Sequence, residues 1–285
     1  MNASWATVRT GVRRGWIELR QVFTTPQDLA VTLVSTALFL GVMLYTRTSR
    51  VPGTGFSLGT TMLASVLGMN IGVNGLSSLA GVLAVEREDG TLLRAKAIPN
   101  GMTSYLIGKI VTTSGVILIG VSGTLITGLF LFRGLAVGHV GAWLTLIWVL
   151  ALGLTATLPI GAVIGSLFPN ARTAGLMFLV VGGLTAISGI FYPITHLPHW
   201  MQWVGQAFPL YWLGLGMRSA LLPASLASVE IDHSWRHLAT FGVLGGWVVV
   251  GLVAAPIVLR RMARRESGSS VAARREKALL RAGIR

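Results

Sequence analysis

Long stretches without a charged side chain constrain this chain more than any other feature of its sequence. An ionised side chain in the hydrocarbon core of a bilayer costs at least about 2.5 kcal/mol, and about 20 apolar residues in a helix cross that core. The six charge-free stretches, each 18 to 45 residues long, are 29–46, 51–85, 110–132, 134–171, 173–217 and 237–259. The pattern predicts an all-α integral membrane protein with six transmembrane helices.

The predicted membrane domain occupies residues 28–259. Its six spans are placed near residues 29–46, 58–85, 104–132, 141–167, 173–192 and 237–259. The segment 193–222 contains prolines and glutamines, so it is predicted to form an extracellular re-entrant helical hairpin between spans 5 and 6. With both termini in the cytoplasm, 18 of the 23 Lys and Arg residues lie on the inner side, as the positive-inside rule requires.

Both ends of the chain are basic and are predicted to contact the membrane surface. Residues 1–27 favour a cytoplasmic interfacial helix, because apolar residues recur at steps of three or four from Trp5 to Phe23 while the arginines largely fall off that stripe. A solvated basic arm is the alternative. The cytoplasmic tail 260–285 is predicted to bind anionic lipids of the inner leaflet. No aromatic residue is interleaved with its arginines, which argues against nucleic-acid binding.

The sequence contains no recognisable site for ion coupling or for ATP hydrolysis. All nine acidic residues lie outside the hydrophobic spans, and the five histidines lie in loops or at span edges, so we expect no proton relay and no metal site. The chain has three lysines, and none of them stands in the phosphate-binding pattern G-x-x-x-x-G-K-[ST]. We therefore expect no catalytic residue and no bound cofactor, and any uphill transport must be driven by a partner.

One internal loop has enough polar character to receive such a partner. It runs from Glu86 to Pro99 and is predicted to contain the end of the second span, a turn at Gly90 and a short helix at about residues 89–97. Thr91 is the predicted N-cap of that helix. Charged loop residues beside a span also serve as simple topology signals, which is the alternative interpretation.

This loop resembles that of the membrane subunits of type 2 ABC exporters, the drug-resistance and nodulation-type permeases. Their loop reads roughly E-R-E-x-G-T-L followed by a proline, and the match continues through Tyr105, Gly108 and Lys109. A second block resembles the extracellular hairpin of the same family. The hairpin residues that carry this match are Gly189, Pro193, Leu197, Pro198, Trp200, Pro209 and Arg218.

The resemblance implies a transport subunit that works in a complex. Two permeases, identical or paralogous, would meet in the membrane, and each would rest on an ATP-binding subunit that holds ATP and Mg. The short helix would be the coupling helix that docks into that subunit. Many relatives carry Glu where this chain has Leu93, so an apolar contact is predicted there. The coupling residues implied by the family are Glu86, Arg87, Glu88, Asp89, Gly90, Thr91, Leu92, Leu93, Arg94 and Lys96.

Two amides in the second span are the leading candidates for a substrate path. Asn70 and Asn74 are one helical turn apart, so they share a face that should avoid lipid. Hydrogen bonding between helices, without substrate contact, is the alternative. Met69, Met177 and Phe178 are candidates for an adaptable apolar wall, with core packing as the competing role.

The function expected from the sequence is that of a permease in a bacterial plasma membrane. It would move an amphipathic drug-like or lipid-like substrate outward, driven by a separate ATP-binding subunit. A membrane scaffold or immunity protein that uses the same docking loop is the second hypothesis, and a secondary transporter is the third.

Overall fold

The computed structural model describes residues 3–51, 55–88, 90–168 and 175–265, and within these ranges the chain is built from helices and short turns. The described residues form no strand beyond an isolated bridge between Arg50 and Ser57. The ten α-helices of these ranges are α1 (Ala3–Thr24), α2 (Pro26–Tyr45), α3 (Leu58–Glu88), α4 (Thr91–Lys96), α5 (Gly101–Leu131), α6 (Val140–Leu167), α7 (Leu176–Ile187), α8 (His199–Ala207), α9 (Pro209–Leu221) and α10 (His237–Arg265).

Four of the described helices are long and apolar enough to cross a membrane, namely α3, α5, α6 and α10. Helix α7 and the apolar stretch Leu33–Thr48, which covers a described part of α2 and the turn after it, are shorter. The 12 residues of α7 extend about 18 Å at 1.5 Å per residue, against a hydrocarbon core of about 30 Å. Residues 173 and 174, where the fifth span was predicted to begin, lie outside the described residues. The chain is a multi-pass membrane protein, and the count of six spans stays a prediction.

The helix ends lie within three residues of the predicted span ends, except at the ends of α7 and α10, which differ by five and six residues. Helix α7 ends at Ile187 instead of continuing to residue 192. Gly189 has a left-handed φ of 62°, and a Cβ there would lie 2.6 Å from the Cβ of Ile194. A tight turn that only glycine tolerates therefore ends the helix. At the other end of the molecule, α10 continues past residue 259 to Arg265, and residues 266–285 of the predicted tail lie outside the described residues.

Helix α9, the second helix of the predicted hairpin, lies at the centre of the molecule. Twelve of its 13 residues are buried, and it packs on α3, α6 and α10. A Cβ on Gly68 would lie 2.8 Å from the Cα of Gly214, so the backbones of α3 and α9 are in contact. Gly72 packs against Leu210 in the same interface. The Gly-x-x-x-Gly pattern of α3 therefore serves packing within the chain.

The C-terminal end of α9 is held by a buried ion pair. Arg218 and Glu230 are 7% and 5% exposed, and the Arg218 Nε atom lies 2.7 Å from Glu230 Oε1. The same guanidinium donates through Nη1 to the carbonyl of Ile190 at 3.1 Å. One charged side chain thus joins the hairpin to the turn after α7. The sequence pattern placed Arg218 in the hairpin but did not identify Glu230 as its partner.

Helix α1 packs on the helix bundle through a face beside its predicted apolar stripe. The side chains of Trp5 and Trp16 on that stripe are exposed. A different face, which carries Gly11 and Gly15, packs closely on α5. A Cβ on Gly15 would lie 2.5 Å from the carbonyl oxygen of Gly108. The glycines thus fix α1 to the helix bundle, and its position at the membrane surface stays a prediction.

Candidate functional site

The polar loop after α3 forms a compact turn that we call the elbow, residues 90–100. Gly90 has φ 81° and ψ 11°, a left-handed conformation that glycine adopts without strain. Its carbonyl accepts hydrogen bonds from the backbone N–H groups of Leu93 at 3.1 Å and Arg94 at 3.3 Å. Gly90 is therefore the N-cap of α4, and the prediction that Thr91 is the N-cap is wrong by one residue. Asn100, with φ 55°, turns the chain into α5.

Helix α4 has a buried side and an open side. Leu92 and Ala95 are 2% and 5% exposed, since α4 packs against α3, α5 and α10. Arg94 and Lys96 are exposed, and Ile98 just after the helix is 62% exposed. Leu93 is half-buried between the two sides. The elbow thus presents a basic and apolar surface outward while its inner side is fixed to the helix bundle.

Arg87 fixes the end of α3 to the end of α6. Its Nη1 atom donates to the carbonyl oxygens of Ser166 and Phe168, each at 3.0 Å. Helix α6 ends at Leu167, where the last carbonyls of a helix lack partners within the helix itself. A cation at that position satisfies them and opposes the negative end of the helix dipole.

Glu86 belongs to an ionic cluster that joins three helices. The Nζ atom of Lys109 on α5 lies 2.6 Å from Glu86 Oε1 on α3 and 2.8 Å from Glu18 Oε2 on α1. Arg14 completes the cluster, with its Nε atom 3.0 Å from Glu18 Oε1. Lys109 is only 8% exposed. Two carboxylates and two cations balance each other, which is the condition under which charges tolerate burial.

The aromatic ring of Tyr105 supports the cations of this cluster. The ring is fully buried, and its centroid lies 5.2 Å from the Arg14 guanidinium carbon and 5.7 Å from Lys109 Nζ.

Burial raises the pKa of the Glu18 carboxyl, but the hydrogen bonds and charges of Lys109 and Arg14 outweigh it. The net pKa of Glu18 lies below the ordinary value of 4.5. The carboxylate is therefore held in its ionised form.

The structure brings most of the predicted coupling residues together at one end of α3. Glu86, Arg87 and the residues from Gly90 to Lys96 meet there, whereas the side chain of Glu88 and the whole of Asp89 lie outside the described residues. Sequence reasoning missed Glu18 and Arg14 as members of the site. The available signal was Lys109, a lone cation within a long apolar helix, which needs a nearby carboxylate.

The candidate path residues do not form one surface. Asn74 Nδ2 donates to Asn70 Oδ1 at 3.0 Å, and both amides are partly exposed on α3. Met177 is 3% exposed and packs with Leu76 and Val181 in the interior, while Phe178 is 63% exposed. Met69, on α3 beside Asn70, is half-buried. The amide pair and Phe178 are thus open to whatever surrounds this chain, and Met177 is held in the core.

The predicted hairpin residues divide into buried anchors and exposed tips. Gly189, Pro209 and Arg218 are buried, and Pro193 and Leu197 are half-buried. Pro198 is exposed, and Trp200 is 63% exposed. Exposed indoles of this kind suit the interface between lipid and water.

Comparison with known families identifies the chain. The family model described as ABC-2 family transporter protein matches residues 15–256. This chain belongs to the ABC-2 transporter family. The matched region contains the elbow, the end of α3 and the hairpin, and also Glu18 and Lys109 of the ionic cluster. Comparison with curated proteins gave no significant match. An ABC-2 permease is the membrane subunit of a transporter, and the family typically pairs with an ATP-binding subunit.

Proposed function

We propose that this ABC-2 permease is the membrane subunit of an ATP-driven exporter and that α4 is its coupling helix. Two permeases, identical or paralogous, assemble with two ATP-binding subunits, which hold ATP and Mg and hydrolyse the nucleotide. In this proposal the chain crosses a bacterial plasma membrane six times, and both termini lie in the cytoplasm. The observation that carries the proposal is the construction of the elbow, exposed on one side and fixed to three helices on the other.

The contacts around the elbow give a route for force. A displacement of α4 moves the end of α3 through the short turn at Gly90, and from there Arg87 transmits it to α6. Glu86 transmits it through Lys109 to α5, and Glu18 extends the route to α1. Nucleotide binding shifts the permease between two packings only if the contacts of α4 with its partner differ between them.

The open side of α4 indicates the surface it docks into. Arg94 and Lys96 supply positive charge, and Leu93 and Ile98 supply apolar area. A groove with an apolar floor and an acidic rim on the ATP-binding subunit complements this surface. Leu93 makes an apolar contact with the ATP-binding subunit where the Glu of many relatives would make a charged one.

The partly exposed amides of α3 support a polar surface within the membrane. Each amide of the pair Asn70 and Asn74 has donors or acceptors left over after their single mutual hydrogen bond. Hydrocarbon cannot satisfy those groups, so this face is suited to a substrate path or to the second permease. Exposed apolar side chains such as Phe178 are available to contact the apolar part of an amphipathic, drug-like or lipid-like substrate. The direction proposed is outward.

Reconstitution of the complete transporter tests the proposal. The full-length permease, co-purified with its ATP-binding subunit in liposomes, is expected to give vanadate-sensitive ATP hydrolysis that a transported compound stimulates. The double variant Arg94→Glu/Lys96→Glu should reduce that stimulation about tenfold or more, equal to about 1.4 kcal/mol of docking. The matched control Arg9→Glu/Arg13→Glu reverses two exposed charges on α1 and should behave as wild type.

Three results would contradict the proposal. Full stimulation in the Arg94→Glu/Lys96→Glu variant would remove α4 from the joint. A complex that binds the ATP-binding subunit but moves no compound would favour a scaffold or immunity protein. Uptake driven by an ion gradient without ATP would favour a secondary transporter.

A further inference from the structure

A cavity beside the elbow, separate from the Asn70 and Asn74 amide pair, is a second candidate binding site. A cavity of about 530 Å³ opens between α5 and α10, and residues of α3, α4 and α6 complete its lining. Its walls are apolar, with Leu106 and Ile110 on α5 and Leu252 on α10. The only charged residues in its lining, among the residues the structure describes, are Lys96, Arg260 and Arg264. The cavity thus combines a long apolar groove with a purely basic end.

The dimensions of the cavity match one leaflet of a bilayer. Leu252 and Arg264 are separated by 12 helical steps, or about 18 Å along α10 at 1.5 Å per residue. Half of a hydrocarbon core is about 15 Å thick. With the basic residues at the membrane surface, the apolar end of the groove reaches about the middle of the membrane.

We propose that this cavity binds one anionic phospholipid from the leaflet on the elbow side. The phosphate lies among Lys96, Arg260 and Arg264, and an acyl chain lies along the apolar wall formed by α5 and α10. Charge complementarity selects the occupant, because a basic pocket between membrane helices attracts an acidic headgroup. A free phosphate would leave the apolar groove unfilled, and a neutral lipid would bring no net negative charge to Arg260 and Arg264.

The site connects the lipid to the coupling machinery. Lys96 belongs to α4, and it lines the same cavity as Arg260 and Arg264 of α10. A bound headgroup therefore bridges the elbow and the last helix. The inference does not rest on the proposed export function, since it concerns lipid retention by the permease itself.

Native mass spectrometry of the purified full-length permease tests the proposal. After delipidation in detergent, the protein is titrated with dioleoyl phosphatidylglycerol or with dioleoyl phosphatidylcholine. We expect one phosphatidylglycerol per chain, retained about tenfold more strongly than phosphatidylcholine. Arg260→Gln and Ile110→Trp should each reduce that retention about fivefold or more, one by removing charge and the other by filling the groove.

Matched variants separate the cavity from the general surface. Arg261→Gln removes an exposed arginine of α10 that does not line the cavity, and Leu118→Trp enlarges a lipid-facing residue of α5. Leu118 is 39% exposed and Ile110 is 40% exposed, so the two tryptophan substitutions are comparable. Both controls should retain lipid as wild type does. If Arg260→Gln does not fold, Arg264→Gln tests the same basic end.

Several outcomes would overturn the proposal. Equal retention of the two lipids would remove the role of charge. Equal losses in Arg260→Gln and Arg261→Gln would indicate attraction to the whole basic surface, and equal losses in Ile110→Trp and Leu118→Trp would exclude the groove. Displacement of the lipid by glycerol 3-phosphate at the same concentration would show a phosphate site without an acyl-chain component.

Discussion

Removal of the central cation of the ionic cluster should destabilise the permease measurably. Lys109→Met keeps the length of the side chain but leaves the carboxylate of Glu86 without its cation and takes one of the two cations from Glu18. Loss of one partner from a buried ion pair costs about 3–5 kcal/mol. The side chains of Lys109, Glu86 and Glu18 are 10%, 16% and 21% exposed, so some water reaches the carboxylates. We therefore expect a loss near the lower limit, about 3 kcal/mol.

Thermal unfolding of the purified chain in detergent, followed by tryptophan fluorescence, measures this effect. A loss of about 3 kcal/mol corresponds to a decrease in Tm of roughly 6–12 °C for a chain of this size. Lys96→Met is the matched control, since Lys96 is exposed on the elbow and its substitution should change Tm little. The double variant Glu86→Gln/Lys109→Met removes the orphan carboxylate and should recover most of the loss.

Two results would refute this reasoning. If Lys109→Met and Lys96→Met unfold at the same temperature, the cluster contributes no stability. If Glu86→Gln/Lys109→Met is no more stable than Lys109→Met alone, an unpaired buried carboxylate is not the cause of the loss.

Three further predictions concern helix contacts and pH. Gly15→Val should detach α1 from α5, seen as faster protease cleavage near the N-terminus, whereas Gly41→Val, with no atom within 4 Å of its Cβ position, should cleave as wild type does. Gly68→Val should lower Tm by forcing α3 away from α9. Gly242→Val should not lower Tm, because no atom lies within 4 Å of its Cβ position. Equal Tm values for the two variants would contradict the backbone contact. Because the folded pKa of Glu18 is lowered, its contribution to stability is complete above about pH 4.5 and is lost as pH falls through the folded value. Tm of the wild type should therefore fall more steeply below pH 4.5 than Tm of Glu18→Gln, and parallel curves would exclude Glu18 as the source.

The sequence predicted the positions of the long helices well because a bilayer imposes a simple rule on charge. Helix α3 begins at Leu58 as predicted, and α6 begins at Val140, one residue before its predicted start. The end of α7 was harder to predict, because the turn at Gly189 depends on a close contact with Ile194 and not on a change in hydrophobicity. The family resemblance is confirmed by the match over residues 15–256.

The candidate site was predictable where its residues are consecutive and much less so where it depends on distant pairs. The loop sequence around Gly90 indicated a turn and a helix, and both are present. The partnership of Glu18 with Lys109 joins residues 91 positions apart, and the single sequence contains no measure of that proximity. The packing role of Gly11 and Gly15 in α1 was likewise not predicted, because it depends on the distant residues Ser104 and Gly108 of α5.

The backbone contact between Gly68 and Gly214 limits which amino-acid substitutions α3 tolerates at residue 68. The position that a Cβ of residue 68 would occupy is only 2.8 Å from the Cα of residue 214, so residue 68 accepts no larger amino acid unless α9 moves away from α3. A Cβ on residue 214 would instead lie 2.7 Å from Ile190 Cγ1, in the turn after α7. Attempts to widen the substrate range by enlarging side chains of α3 near this crossing must therefore adjust α9 as well.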